Sequence, residues 1–98
     1  MKMLTIVYNT SCDEEIREIL KDRGVRHFTQ IPKVFGQGDA GVVNGSLLCP
    51  GQNAMILVVL PDQEAHGVAE AVRELVLRTG GCGCVPIRAF LVPCEQVV

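Results

Sequence analysis

Two glycine-rich stretches of this 98-residue chain carry residues whose types and spacing suit chemistry. The first, Gly36-Gln37-Gly38-Asp39-Ala40-Gly41, fits the pattern G-x-G-x-x-G. In a dinucleotide fold that pattern must follow a strand and open a helix, but Val42-Val43-Asn44-Gly45 is no helical start, so that use is excluded. What remains is the capacity of glycine backbone to bring amides close to a phosphate as an anion nest, or merely to make a flexible loop. The second stretch is Thr79-Gly80-Gly81-Cys82-Gly83-Cys84. Cys82 and Cys84 can present two thiolates to one soft metal ion, a pair short of the four ligands of a closed zinc site. Cys49, Cys94, His27, His66 or symmetry-related thiols would have to complete it. The plainer alternative is that small cysteines fill tight space beside a sheet. A disulfide from Cys82 to Cys84 across one residue would be strained.

The other reactive side chains stand alone. Cys12 lies near an expected helix start, where a thiol can acidify, although such a position is more often incidental. His27 and His66 read as structural or exposed. No Ser/His/Asp set, paired carboxylates or His-Glu-x-x-His pattern can be assembled, so the sequence gives no support for an enzyme.

Composition narrows the field further. A net charge of −2 and the absence of a Lys/Arg run leave no field for gripping a phosphate backbone, which argues against nucleic acid. The apolar part of MKMLTIVYN is too short for a signal core or a bilayer span, so no membrane insertion and a cytoplasmic location are expected. Five cysteines, an odd number, are expected to be thiols in a reducing compartment. With 48% apolar residues, one Tyr and no Trp, the core must be Val, Ile, Leu and Ala in one domain spanning residues 1–98.

The elements that must position these stretches follow in order. Met3 to Tyr8 is β-rich and predicts a strand; Ser11 with Glu14 forms a capping-box pattern that opens a helix from about Cys12 to Arg23. Ile16, Ile19 and Leu20 give its buried stripe, Gly24 its left-handed stop, and its acidic run a solvated face. Val25 to Val34 predicts a second strand, interrupted by Pro32 at an edge or bulge. A long loop from Phe35 to Asn53 follows, and a loop of that length is usually functional. Ala54 to Leu60 predicts a central strand, Pro61-Asp62 a cap, and Val68, Ala69, Val72, Leu75 and Val76 a second helix ending at Gly80-Gly81. Val85 to Val92 predicts the last strand. The order is α+β, a ferredoxin-like βαββαβ plan with a four-stranded antiparallel sheet and two helices on one face. The first and third of these strands carry apolar residues of both parities, so the bare face is expected to meet another subunit.

With these segments in order, the sequence resembles the PII signal-transduction family and its shorter PII-like relatives. The segments are Gly24 to Thr29, Gly36-Gln37-Gly38, Ile56 to Asp62, Arg78-Thr79-Gly80, Pro86 to Phe90 and Val92 to Val97. The resemblance implies a homotrimer that binds a small effector, an adenine nucleotide, in clefts between subunits. Thr29, Gly36, Gly38, Gly81, Gly83 and Arg88 would bind the effector. The loop of residues 35–53 would be the family's T-loop, meeting a transporter, enzyme or regulator through Gly41, Val42, Val43, Asn44, Gly45 and Ser46. It lacks a tyrosine, which excludes uridylylation on that residue. The family's Gly-Asp-Gly-Lys phosphate turn is replaced by Gly80 to Arg88, with Arg88 where the lysine would lie. The chain ends at Val98, before the arginines that help hold ATP in larger members. The rival reading is a soft-metal-binding or metal-tolerance protein that uses its cysteines; a purely structural assembly module is a third.

Overall fold

The computed structural model describes residues 1–35, 37–38, 41–42, 52–79 and 87–98. Strand β1 (Lys2–Asn9) leads through a 3-10 turn (Thr10–Cys12) into helix α1 (Asp13–Asp22), and strand β2 (Thr29–Val34) follows. Two short strands, β3 (Gln37–Gly38) and β4 (Gly41–Val42), precede β5 (Asn53–Leu60), helix α2 (Asp62–Thr79) and β6 (Arg88–Pro93). The main sheet has the order β2-β5-β1-β6, with every neighbouring pair antiparallel. This is the expected ferredoxin-like plan.

Alternation explains which face is filled. Leu4, Ile6 and Tyr8 of β1 share a face with Ala54, Ile56 and Val58 of β5, and all six are buried. Ile16 and Leu20 of α1 and Val68, Val72 and Leu75 of α2, at helical spacing, close the same core. Each such aliphatic side chain contributes about 1.5–3 kcal/mol on burial. The opposite face, with no helix over it, carries Met3, Thr5 and Val7 of β1 and Met55, Leu57 and Val59 of β5.

Several boundaries differ from the sequence expectation, each for a local reason. The Ser11/Glu14 box does not cap α1. Asn9 acts one turn earlier, its side chain accepting from Ser11 N–H to start the 3-10 turn, and Cys12 stands at the α1 N-cap without a side-chain capping hydrogen bond. At the other end Gly24, with φ of 74°, lets its own N–H reach Lys21 O and that of Val25 reach Leu20 O, a Schellman closure. That closure consumes Val25, which therefore cannot open the strand, and β2 begins at Thr29. Pro32 does lie on an edge strand, and the β2–β5 register shifts between Ile31 and Val34. The last strand begins at Arg88, with Ile87 buried just before it; Val85 and Pro86 lie outside the described residues.

Candidate functional site

The segment expected to carry function is anchored on both sides at one rung of the sheet. Asn53 opens β5 and pairs with Asn9 of β1 on one side and Val34 of β2 on the other. Beside it, Thr10 N–H donates to Gln52 O at 2.6 Å and Gln52 N–H donates to Thr10 Oγ1 at 3.1 Å. Asn53 is thus the start of the return strand rather than loop, and Gln52 is fixed just before it. Within the segment, Gln37 pairs with Val42 and Gly38 with Gly41, so part of the G-x-G-x-x-G stretch is hairpin backbone. Gly36, Val43, Asn44, Gly45 and Ser46 lie outside the described residues, as do Gly81, Cys82, Gly83 and Cys84.

Edge strand β2, which feeds the segment, is held by a polar cluster that the sequence reading missed. Tyr8 OH donates to Asp13 Oδ1 at 2.6 Å, and Gln30 Nε2 donates to the Tyr8 oxygen at 2.8 Å and to Asp13 Oδ1 at 3.0 Å. Arg17 completes the ring, with Nε donating to Asp13 Oδ2 at 2.9 Å and the other end of its guanidinium bonding Gln30 Oε1. Its guanidinium also lies 5.5 Å from the Phe28 ring centroid. Burial first, and then the bond to Asp13, pushes the Tyr8 hydroxyl up to about 12. At Asp13, burial alone would raise the carboxyl, but the bonds from Tyr8 and Arg17 outweigh it and hold it below the ordinary value. Asp13 therefore departs from the solvated face expected of the acidic run, while Glu14 and Glu15 remain exposed. The available signal was a tyrosine ending a β-rich run five residues before an aspartate.

Thr29 and Arg88, two of the expected effector ligands, are both exposed and stand on opposite edges of the sheet. Their register partners are Leu57 and Val7, which belong to the helix-free face. They lie three strand spacings apart, about 14 Å across the sheet, and two residues apart along the strands, about 7 Å, so about 16 Å separates them. Within one chain neither lines a concavity among the described residues. The described concavities lie elsewhere. A cleft of about 390 Å³ between the helices is lined by Glu15, Glu18, Arg23, Glu74 and Arg78, and a groove of about 430 Å³ between α2 and β6 by Leu4, Val72, Val76 and Leu91.

The cysteine expectation needs correction. Cys12 is fully buried and disulfide-bonded, so it is neither a thiol nor a candidate reactive group. A compartment argument built on an odd count constrains the unpaired cysteine and says nothing against a pair that the fold brings together. Cys94, partly buried, is the free cysteine among the described residues. Among those residues no three potential metal ligands group together.

Residues 1–98 match the model of the family described as nitrogen regulatory protein P-II. No protein of curated function matches the chain. Among solved structures it is similar to CPII, a nitrogen regulatory PII-like protein from Thiomonas intermedia K12, bound to ADP, AMP and bicarbonate. The TM-score is 0.68 and the identity 22%, over 93% of this chain and 86% of that one. CPII bound to ADP and bicarbonate gives 0.66 at 22% identity, over 93% and 86% of the two chains. Its apo form gives 0.62 at 17% identity, over 94% and 92%. At such identities the structural likeness is one of fold.

Proposed function

The chain belongs to the nitrogen regulatory protein P-II family, and from that premise we propose that it is a PII-like signalling protein that assembles as a homotrimer. It binds an adenine nucleotide between subunits and presents the segment of residues 35–53 to a partner transporter, enzyme or regulator. The observation that carries this reading is the placement of Thr29 and Arg88 on opposite edges of one exposed face. In the proposed site Thr29 comes from one copy and Arg88 from the next. Arg88 then supplies charge to the phosphates, and the backbone of Gly36, Gly38, Gly81 and Gly83 supplies amides.

The helix-free face supports the same assembly. Val59, Phe90, Val92 and Ile31 are 47%, 57%, 40% and 38% exposed, and their register rows flank half-buried Met3, Thr5, Val7, Met55 and Leu57. A contiguous apolar face of this kind marks an interaction surface. The mechanism is a population shift: nucleotide favours one arrangement of the segment that starts at β2, and the partner binds that arrangement. ADP, AMP and bicarbonate, ligands of CPII, are the first effectors to try.

Calorimetric titration with ATP, ADP and AMP, with and without bicarbonate, tests this directly. Micromolar to submillimolar binding of one nucleotide is expected, weakened roughly ten- to a hundredfold in Arg88→Ala by loss of a charge-assisted contact. Trimers mixed from Thr29→Val and Arg88→Ala chains should recover a fraction of tight sites that neither variant has alone. Failure of every nucleotide at millimolar concentration, beside tight binding of a soft metal that Cys82→Ser and Cys84→Ser remove, would hand the function to the cysteines.

A further inference from the structure

The root of the segment holds two buried polar atoms that the pairing around it leaves unused. Asn9 and Asn53 face one another on the last rung of β1 and β5, and they are 0% and 8% exposed. The orientation of the Asn9 amide is fixed, because its Oδ1 accepts from Ser11 N–H at 2.9 Å. Its Nδ2 is therefore the group left over. Neither Asn9 Nδ2 nor Asn53 Oδ1 has a hydrogen-bond partner among the described residues, and both are closed off from solvent. One is a donor and the other an acceptor. Asn53 is also where Val34 rejoins the ladder after the break at Pro32, so this rung ties together both ends of the segment.

An unmet buried donor or acceptor is strongly unfavourable compared with a hydrogen-bonded one, and removing the group altogether relieves that penalty. We infer that the root has two arrangements of similar free energy. The one seen is held by the paired bonds between Thr10 and Gln52 and leaves the two side-chain amides unmet. In the other those amides are hydrogen-bonded and the rung is opened, and effector binding selects it. The trigger rests on the nucleotide reading above; the energetics of the root do not.

The test is Asn53→Val, which keeps a strand-forming residue and deletes the unmet carbonyl, with Asn53→Ala as a second variant. Three readouts are taken: the Tm of the free protein, hydrogen exchange at the Thr10 and Gln52 amides, and ADP titration. Expected are a Tm higher by several degrees, exchange slower by about tenfold and ADP affinity weaker by about tenfold, because the arrangement seen gains at the expense of the other. A lower Tm with faster exchange in both variants overturns the inference, since Asn53 would then stabilise the arrangement seen. Slower exchange with unchanged ADP affinity overturns the coupling. If the parent binds no ADP, the function above falls with the trigger, and the exchange result alone decides whether the root has two arrangements.

Discussion

Tyr8 shows how a single hydroxyl can matter at the edge of a small sheet. Its ring sits in the core while its oxygen meets both Asp13 and Gln30, so one residue links β1, the first turn of α1 and β2. Tyr8→Phe keeps the ring and leaves two partners short of a bond. The expected loss is about 1–2 kcal/mol, seen as a fall of about 5–15 °C in Tm. The same cluster sets the pH dependence. Asp13 has its folded pKa below the ordinary 3.8, so its contribution is fully present above that value and is lost as the pH falls through the lower, folded one. Tyr8 is raised from 10.0 to about 12, so its contribution is present below pH 10 and is lost as the pH rises through about 12. Urea unfolding of the parent and of Asp13→Asn across pH 2–6 should show the parent's acid-side loss reduced in the variant. Identical profiles would mean that Asp13 is solvated after all. Sequence spacing could join Tyr8, Asp13 and Arg17 locally but not add Gln30, which meets them only once β2 has crossed to its place beside β5.

The elements themselves were largely legible, and the errors have physical causes. Apolar runs at period two and stripes at helical spacing identified all four main strands and both helices. Val25 has the residue type of a strand opener, yet its N–H is committed to Leu20 O, so the expected start of β2 there fails. Two glycines illustrate the same distinction between residue type and local geometry. Gly24, at φ of 74°, is in a conformation that alanine adopts only with strain, and Gly24→Ala should destabilise by about 1 kcal/mol although nothing lies within 4 Å of the added Cβ. Gly67 lies inside α2, and a Cβ there would approach the Arg23 guanidinium at 3.3 Å. That is the far end of a flexible side chain, so it can yield. Gly67→Ala should therefore stabilise by about 0.5–1 kcal/mol through helix propensity. Thermal melts of the two variants should move in opposite directions, and a drop for Gly67→Ala would show Arg23 to be fixed in place.

At the scale of the whole molecule, the sheet resolves two kinds of surface from one alternating pattern. Even positions of β1 enter the core under the helices, while odd positions form rows such as Thr29–Leu57–Thr5–Phe90 and Ile31–Met55–Val7–Arg88 on the open face. The sequence disclosed that both parities were apolar; it could not disclose that Thr29 and Arg88 sit on the same face at opposite edges, because that depends on strand order. In the proposed trimer this face has to be covered, and covering it is also what brings the two halves of a nucleotide site together. Phe90→Glu separates assembly from folding. It changes a side chain that is 57% exposed in the isolated chain, so the monomer core should be untouched. Buried in an assembly, the carboxylate would lose hydration without a partner, once per subunit, a penalty larger than the about 1.5–3 kcal/mol that each Phe would contribute. Light scattering should give a monomer mass for the variant and a trimer mass for the parent, with superimposable circular dichroism. ADP binding should fall at least tenfold in the same sample, because Arg88 of one copy no longer meets Thr29 of the next. A variant that stays trimeric would show that the open face is not the seam, and a monomer that binds ADP like the parent would show that one chain holds the whole site.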